Sequence, residues 1–289
     1  MFYEKEFIDL NKWVDETEGD ILFTSGAFGD FFLGVDCALK NKMSLIYWSK
    51  PNTLSFSKKF LSVFDIKNYI IDVGVESWRN KNTHEFCTKI KELLNKRGYR
   101  THCNNKCDLP IVKYFPDLVN QEYFNFKNYK LNLPEKYCLL CPCGNNNNHK
   151  IRRFFYNKEF EILTNLILTK NIEPVIVGND MQLNRYNNKN KFKCLQFNKF
   201  DEQEIQIEHF IESVRSSLFV ISPDTSLKTL SAAMHVPTFV LKNRNIKDEF
   251  VSGPWDRIFL DKNKWKTLEC FTFENLLKRI LAYNYIKMI

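Results

Sequence analysis

Three short stretches carry residues that could do chemistry, and each lies between an apolar run and a segment of helical pattern. The first is Ser25-Gly26-Ala27-Phe28-Gly29-Asp30. Two glycines three apart allow a sharp turn and let backbone approach a ligand closely. A helix opening near Asp30 would offer its free N–H groups there. Gly26-x-x-Gly29 lacks the third glycine of a dinucleotide fingerprint, so such a cofactor is not implied. Asp30 has two local readings, a helix N-terminal residue favoured by the dipole or a carboxylate that acts as a base. The second stretch is Pro142-Cys143-Gly144, followed by Lys150, Arg152 and Arg153. Backbone donors with a flexible cation over them suit a diphosphate. The charges alone fit a solvated basic turn equally well. The third is Ser222-Pro223-Asp224-Thr225-Ser226-Leu227, running into Lys228-Thr229-Leu230-Ser231-Ala232-Ala233. Hydroxyls and N–H groups of Thr225 and Ser226 at a helix start would bind an anion, while Asp224 also suits an ordinary N-cap. Three such loops together point to a phosphate-bearing ligand.

The elements that must position them read as alternating strands and helices. DILFTS (20–25), SLIYWS (44–49) and NYIIDV (68–73) have the pattern of buried strands. Helices are expected over 29–42, 53–64 and 83–98, the last closed by Gly98. The stretch 101–136, with Pro110, Pro116 and Pro134, reads as a crossover and linker. The pattern restarts at YCLLCPCG (137–144). Helix 157–170, strand 173–178, a short strand at 193–197, helix 202–216, strand 217–222, helix 225–235 and strand 237–242 follow. The final residues, 271–289, read as an amphipathic helix. Alternation of this kind means βαβ units and mainly parallel sheets. The expected architecture is α/β, with two facing Rossmann-like domains and a cleft between them: 1–130, then 131–270, with 271–289 packing back across both. Ligands in such domains sit at the carboxyl ends of the strands.

Composition sets the class. The 289 residues are 44% hydrophobic and 26% charged, with 42 Lys+Arg against 34 Asp+Glu and a net charge of +8. This excludes a disordered or collagen-like chain. No apolar run reaches the ~18 residues of a membrane span. The opening MFYEKEFIDLNKW carries acids and lacks the apolar core of a signal peptide. A soluble, cytoplasmic protein is expected. Only nine residues are glycine, and four of them (Gly19, Gly26, Gly29, Gly34) cluster near the first loop.

Nine cysteines, an odd number, argue against a secreted disulfide framework. Cys103-x3-Cys107 and Cys138-x2-Cys141-x-Cys143 could in principle supply four metal ligands. The pairs do not match as knuckle motifs do, and reduced thiols packed as small apolar residues are the plainer reading. The five histidines show no metal or triad spacing. Only His149, beside the basic loop, could meet phosphate.

ILFTSGAFGDFFLGVDCAL, LLCPCGNNNNHKIRRFFYNKEFEIL with PVIVGND, and FVISPDTSLKTLSAAMHVPTFVL resemble, in order and spacing, the heptosyltransferase-like glycosyltransferases (glycosyltransferase family 9). The resemblance spans roughly residues 20–245 and implies the GT-B fold. It also implies inverting, metal-independent sugar transfer from a nucleotide-diphosphate donor, with no further cofactor. Matched position by position, Asp30 takes the general base and Arg153 the basic residue ahead of the family's Trp-Pro. Asp224 takes the motif aspartate at the donor sugar, and Thr225 to Leu227 the phosphate-side turn. Gly144 and Lys150 join the donor side, and Ser25, Gly26 and Gly29 the acceptor-side loop. The chain departs from the family pattern at Ser226 for glycine, at Thr229 for histidine, and at Phe155-Tyr156 for Trp-Pro.

The expected partners are a nucleotide-sugar donor and a glycan or lipid-linked glycan acceptor, with peripheral contact at the inner face of the membrane. The +8 charge fits an anionic donor and a membrane surface. It would also fit a sugar transferase acting on nucleic acid, which ranks lower because no recognised nucleic-acid module is present. A sugar-nucleotide-binding protein with eroded catalytic motifs is the alternative from another class.

Overall fold

A computed structural model describes residues 2–25, 28–49, 51–62, 64–72, 81–99, 132–144, 154–178, 183–196, 207–223, 225–234, 236–241, 267–270 and 272–282. The chain divides into two compact units, Met1–Tyr123 and Phe124–Ile289. In the first, the described elements are α1 (Phe2–Asp15), β1 (Ile21–Ser25), α2 (Phe28–Asn41), β2 (Ser44–Ser49), α3 (Pro51–Leu61), β3 (Asn68–Asp72) and α4 (Lys81–Lys96). β1, β2 and β3 pair in that order, all parallel, with Ile21 opposite Ser44 and Leu45 opposite Asn68.

A parallel sheet is covered on both faces, so its strands need apolar residues in succession. All six residues of β2 are buried. On one face Leu10 and Val14 of α1 and Phe86, Ile90 and Leu94 of α4 close over Ile21, Phe23, Ile46, Trp48 and Ile71. On the other, Phe31 of α2 lies 4.6 Å, ring to ring, from Tyr47 and 5.4 Å from Phe60 of α3. These described aromatics are core packing, each buried ring contributing about 1.5–3 kcal/mol over exposure. α4 stops as Gly98 requires. Gly98 (φ +77°) and Tyr99 donate backwards to Asn95 at 3.0 Å and Leu94 at 2.9 Å, the reciprocal pair that closes a helix on a left-handed residue. α1 was not among the expected elements, although Phe7, Leu10 and Val14 have helical spacing.

The second unit contains β4 (Tyr137–Leu140), α5 (Asn157–Thr169), β5 (Glu173–Gly178), a short 3₁₀ turn (Lys189–Lys191), β6 (Cys194–Gln196), α6 (Ile207–Arg215), β7 (Val220–Pro223), α7 (Ser226–Ala233), β8 (Thr238–Leu241), β9 (Thr267–Cys270) and α8 (Phe273–Ala282). The strands lie in the order β6-β5-β4-β7-β8-β9, every pair parallel. The chain winds outward from β4 to β6, then returns to place β7 on the other side of β4 and winds outward again. This is the doubly wound dinucleotide-binding order, and the reversal between β4 and β7 is its topological switch point.

The core joins Phe160, Leu163 and Ile167 of α5 to Leu140, Ile176, Ile221 and Phe239 of the sheet, with Leu276 and Ile280 of α8. The described part of the terminal helix therefore packs on this unit's own sheet. One expectation is corrected in extent, and one strand is added. The strand expected from 217 begins at Val220, because Ser217 hydrogen-bonds back to Val214 and extends the turn after α6. β9 was not foreseen, since TLEC is four residues with no alternation to mark it.

Candidate functional site

The switch point brings together two of the three stretches singled out by residue type. β4 and β7 pair at Leu139–Val220 and Leu140–Ile221, and the Cys141 N–H still donates to Ile221 at 2.9 Å. Beyond that bond the strands separate. Cys141 to Gly144 follow β4, and Thr225 and Ser226 follow β7, both at the carboxyl ends, where open α/β sheets bind ligands.

The departing β4 chain is clasped. Cys143 forms an antiparallel bridge with Phe154, and the Phe155 N–H donates to the Pro142 carbonyl at 2.9 Å. Between these two rims stands the Tyr186 hydroxyl, 2.8 Å from the Pro142 carbonyl and 2.9 Å from that of Phe155. The loop between 144 and 154, which carries Lys150, Arg152 and Arg153, thus leaves and rejoins the fold at a tied pair of points. Phe155 is buried in the core. Tyr156 opens α5, and its N–H is accepted by Glu159 at 2.9 Å.

Hydroxyls fix the β7 side. Ser222 Oγ lies 2.6 Å from the Pro223 carbonyl and 2.7 Å from Thr225 Oγ1. Ser222 donating to Pro223 while Thr225 donates to Ser222 satisfies both. Thr225 Oγ1 also comes within 4.0 Å of the Cys141 sulfur, 84 residues away in the chain. α7 then begins at Ser226, so the N–H groups of its first turn have no acceptors within the helix. Its close seating on the sheet uses Ser231, whose hydroxyl meets Thr238 Oγ1 of β8 at 2.8 Å.

The thiols here are held neutral. Burial pushes Cys141 up to about 11, although bonds with Cys143, Thr225 and Ser222 pull the other way. Cys143 is also raised by burial, against the lowering influence of the Arg185 guanidinium. Cys141 Sγ donates to the Cys143 carbonyl at 3.5 Å and Cys143 Sγ to the Gly144 carbonyl at 3.2 Å. Among the described residues no three His, Cys, Asp or Glu side chains converge as metal ligands would. Cys103 and Cys107 lie outside them.

The other expected site residues are placed as follows. Ser25 ends β1, opposite Trp48 of β2, and Gly29 and Asp30 lie in the first turn of α2, at the carboxyl end of the first unit's sheet. Gly144, Thr225 and Ser226 are partly exposed at the switch point, whereas the Leu227 side chain is buried. Gly26, His149, Lys150, Arg153 and Asp224 lie outside the described residues.

Three residues at this place were missed from sequence. Arg185 and Tyr186 reach the β4 loop from the segment after β5, and nothing in NDMQLNRYNN marks them. Lys228 is only 6% exposed in α7, although lysine is rarely so buried unless paired. A basic residue one position into a stripe of small ones was its only signal. Glu212 of α6, also buried, is taken up by Arg215 at 2.7 Å and the Ser216 hydroxyl at 2.5 Å.

No family model and no curated protein matches the chain. Solved structures do. A family 9 glycosyltransferase from Veillonella parvula has a TM-score of 0.52 at 10% identity, over 94% of this chain and 95% of that one. The E. coli ADP-heptose lipopolysaccharide heptosyltransferase II gives 0.52 at 11%, over 91% and 98%. The E. coli heptosyltransferase WaaC, solved with ADP, gives 0.55 at 11%, over 91% and 99%. At such identities the likeness speaks for the fold. The chain has the α/β fold of the GT-B heptosyltransferases, as its sequence motifs led one to expect.

Proposed function

We propose that this protein is a glycosyltransferase that moves a sugar from a nucleotide-diphosphate donor to a glycan or lipid-linked glycan. One observation carries the reading. In a fold shared along nine-tenths of its length with heptosyltransferases, the β4 and β7 loops meet at the switch point of the second sheet. There, backbone donors, hydroxyls and an arginine converge with the ends of a loop rich in basic residues. That combination suits a diphosphate.

In this reading the donor is held by Gly144, Lys150, Arg153, Asp224, Thr225, Ser226 and the Leu227 N–H. Asp30 is the general base, at the start of α2. Its carboxylate takes the proton of the acceptor hydroxyl as that oxygen bonds to the anomeric carbon. The bond from that carbon to the diphosphate breaks with its electron pair, and the nucleoside diphosphate departs. Attack from the face opposite the leaving group inverts the configuration. Negative charge grows on the diphosphate as the bond breaks, so fixed cations and N–H donors act most strongly in the transition state. Those groups do the work for which other transferases employ a metal ion. No helix among the described residues is long and apolar enough to cross a membrane, so contact with a lipid-linked acceptor would be peripheral, through basic surface.

A thermal-shift panel with ADP, GDP, UDP, CDP and dTDP tests the donor side. One diphosphate at 100 times its Kd should stabilise by about 2.7 kcal/mol. Asp30→Asn should then lower transfer by about 10²–10⁴-fold and leave nucleotide binding unchanged. Failure of every diphosphate to bind would overturn the proposal. Full transfer by Asp30→Asn would remove Asp30 from its role. Diphosphate binding without transfer to any glycan or nucleic acid would make the protein a binding module.

A further inference from the structure

The segment after β5 reaches the switch point by a route that neither strand-to-helix loop provides. Leu183 and Tyr186 are both buried in the core of the second unit. The Tyr186 N–H donates to the Leu183 carbonyl at 3.0 Å, which closes residues 183–186 into a turn. The two residues between these anchors, Asn184 and Arg185, are exposed. The turn is fixed against the β4 loop by the Tyr186 hydroxyl on the Pro142 and Phe155 carbonyls. Arg185 is therefore carried on a rigid mount. Its Nη1 reaches 3.8 Å from the Cys143 sulfur, one residue before Gly144. The segment that carries it follows β5, which flanks β4 on the side opposite β7.

A planar guanidinium at that point has the fork geometry for two oxygens of a phosphate. Its charge is already felt in the loop, where it opposes the upward push of burial on the Cys143 thiol.

We propose that Arg185 is a donor-binding residue that grips the diphosphate from the β5 side, facing the hydroxyls and helix start of the β7 side. This deepens the reading of the site as a nucleotide-sugar site and rests on it. Tyr186 is the positioning residue that aims Arg185.

The test is calorimetric titration of the full chain with inorganic pyrophosphate, ADP and adenosine, for the natural protein, Arg185→Gln and Arg185→Lys. Pyrophosphate makes the answer independent of which base the donor carries. Arg185→Gln should weaken pyrophosphate by about 10–100-fold, the range for a charge-assisted hydrogen bond. ADP should weaken alike, while adenosine binding and the melting temperature stay where they were. Arg185→Lys, which keeps the charge without the fork, should fall between. Unchanged pyrophosphate and ADP affinity in Arg185→Gln would overturn the proposal and leave the nucleotide-sugar reading standing. An equal loss for adenosine, or an equal loss in Arg185→Lys, would overturn it too, by showing that the arginine only shapes the loop. A natural protein that binds neither pyrophosphate nor any nucleoside diphosphate would overturn both.

Discussion

Gly34→Ala is the perturbation whose consequence can be worked most fully. Gly34 lies on α2, where the helix crosses β1. A methyl group built on it would stand 2.6 Å from Thr24 Cγ2, 3.1 Å from Thr24 Cβ and 3.3 Å from Thr24 Oγ1. Carbon atoms rest at about 3.5–4.0 Å, so helix and strand must part by roughly 1 Å. Thr24 cannot step aside easily. It is fully buried, its β-branch restricts χ1, and its strand is hydrogen-bonded to β2 opposite Tyr47. Overpacking of this kind costs about 1–3 kcal/mol, and the depth of the overlap argues for the upper half. Alanine returns up to about 1 kcal/mol of helix propensity. A net loss of about 1–2 kcal/mol follows. It should be read as a lower denaturant midpoint with unchanged slope.

The same displacement carries a functional consequence. Asp30 lies four residues before Gly34 on the same helix, so lifting α2 moves it relative to β1. A misplacement near 1 Å at a reacting group can lower the rate by about 10²-fold. Thr24→Ser, which removes Cγ2 alone, should relieve much of the clash. The double variant should therefore be more stable than the two single losses summed, by about 1 kcal/mol of coupling. Gly34→Ala as stable as the natural protein, with strictly additive effects, would refute the close approach and the argument built on it.

Other perturbations follow from single observations. Ser57, buried in α3, has a hydroxyl without a hydrogen-bond partner among the described residues, so Ser57→Ala should be neutral or stabilise by up to about 1 kcal/mol in chemical denaturation; a clear loss would reveal a partner. Tyr186→Phe leaves the Pro142 and Phe155 carbonyls without their shared donor and should destabilise by about 1–3 kcal/mol, while weakening nucleoside diphosphates more than Ser57→Ala does. Cys138, Cys141 and Cys143 have thiols raised by burial, Cys141 to about 11. Unfolded thiols lose their protons near pH 8.5, so between about pH 8.5 and 11 the unfolded chain holds fewer protons and stability falls as pH rises. Cys141→Ala should flatten that decline in thermal melts taken across the range, and a decline of the same slope would refute the assignment. At pH 8 Cys141 should also resist alkylation until the chain is unfolded.

Much of the fold was legible because burial on both faces leaves a plain mark. SLIYWS and EPVIVG carry unbroken apolar runs, Leu45–Trp48 and Pro174–Val177, and the strands fall on the expected residues. Gly98 announced the end of α4 because a left-handed residue without a side chain has few other uses. α1 went unread for the opposite reason. Its apolar residues Phe7, Leu10 and Val14 are diluted by acids and lysines, and only the sheet and α4 against which it packs give them a face. β9 is too short for any periodicity, and its position is set by β8 beside it.

The site divides in the same way. The proposed backbone donors, Gly144 and the Thr225–Ser226 helix start, could be singled out, since a glycine or hydroxyl between strand and helix has a local meaning. Arg185, Tyr186 and Lys228 have none. Tyr186 matters only because β5 lies next to β4, so that a side chain 44 residues further on meets the Pro142 carbonyl. Thr225 meets Cys141 across 84 residues because β7 returns to the other flank of the same strand. Both depend on the reversal of winding at β4, and no run of residues encodes that reversal by itself. A chain with identical strands in the simple order 4-5-6-7 would keep every motif and would set the two loops three strand spacings apart, about 14 Å. Strand order is thus what brings the β4 and β7 loops, each ordinary by itself, to one place at the carboxyl end of the second sheet.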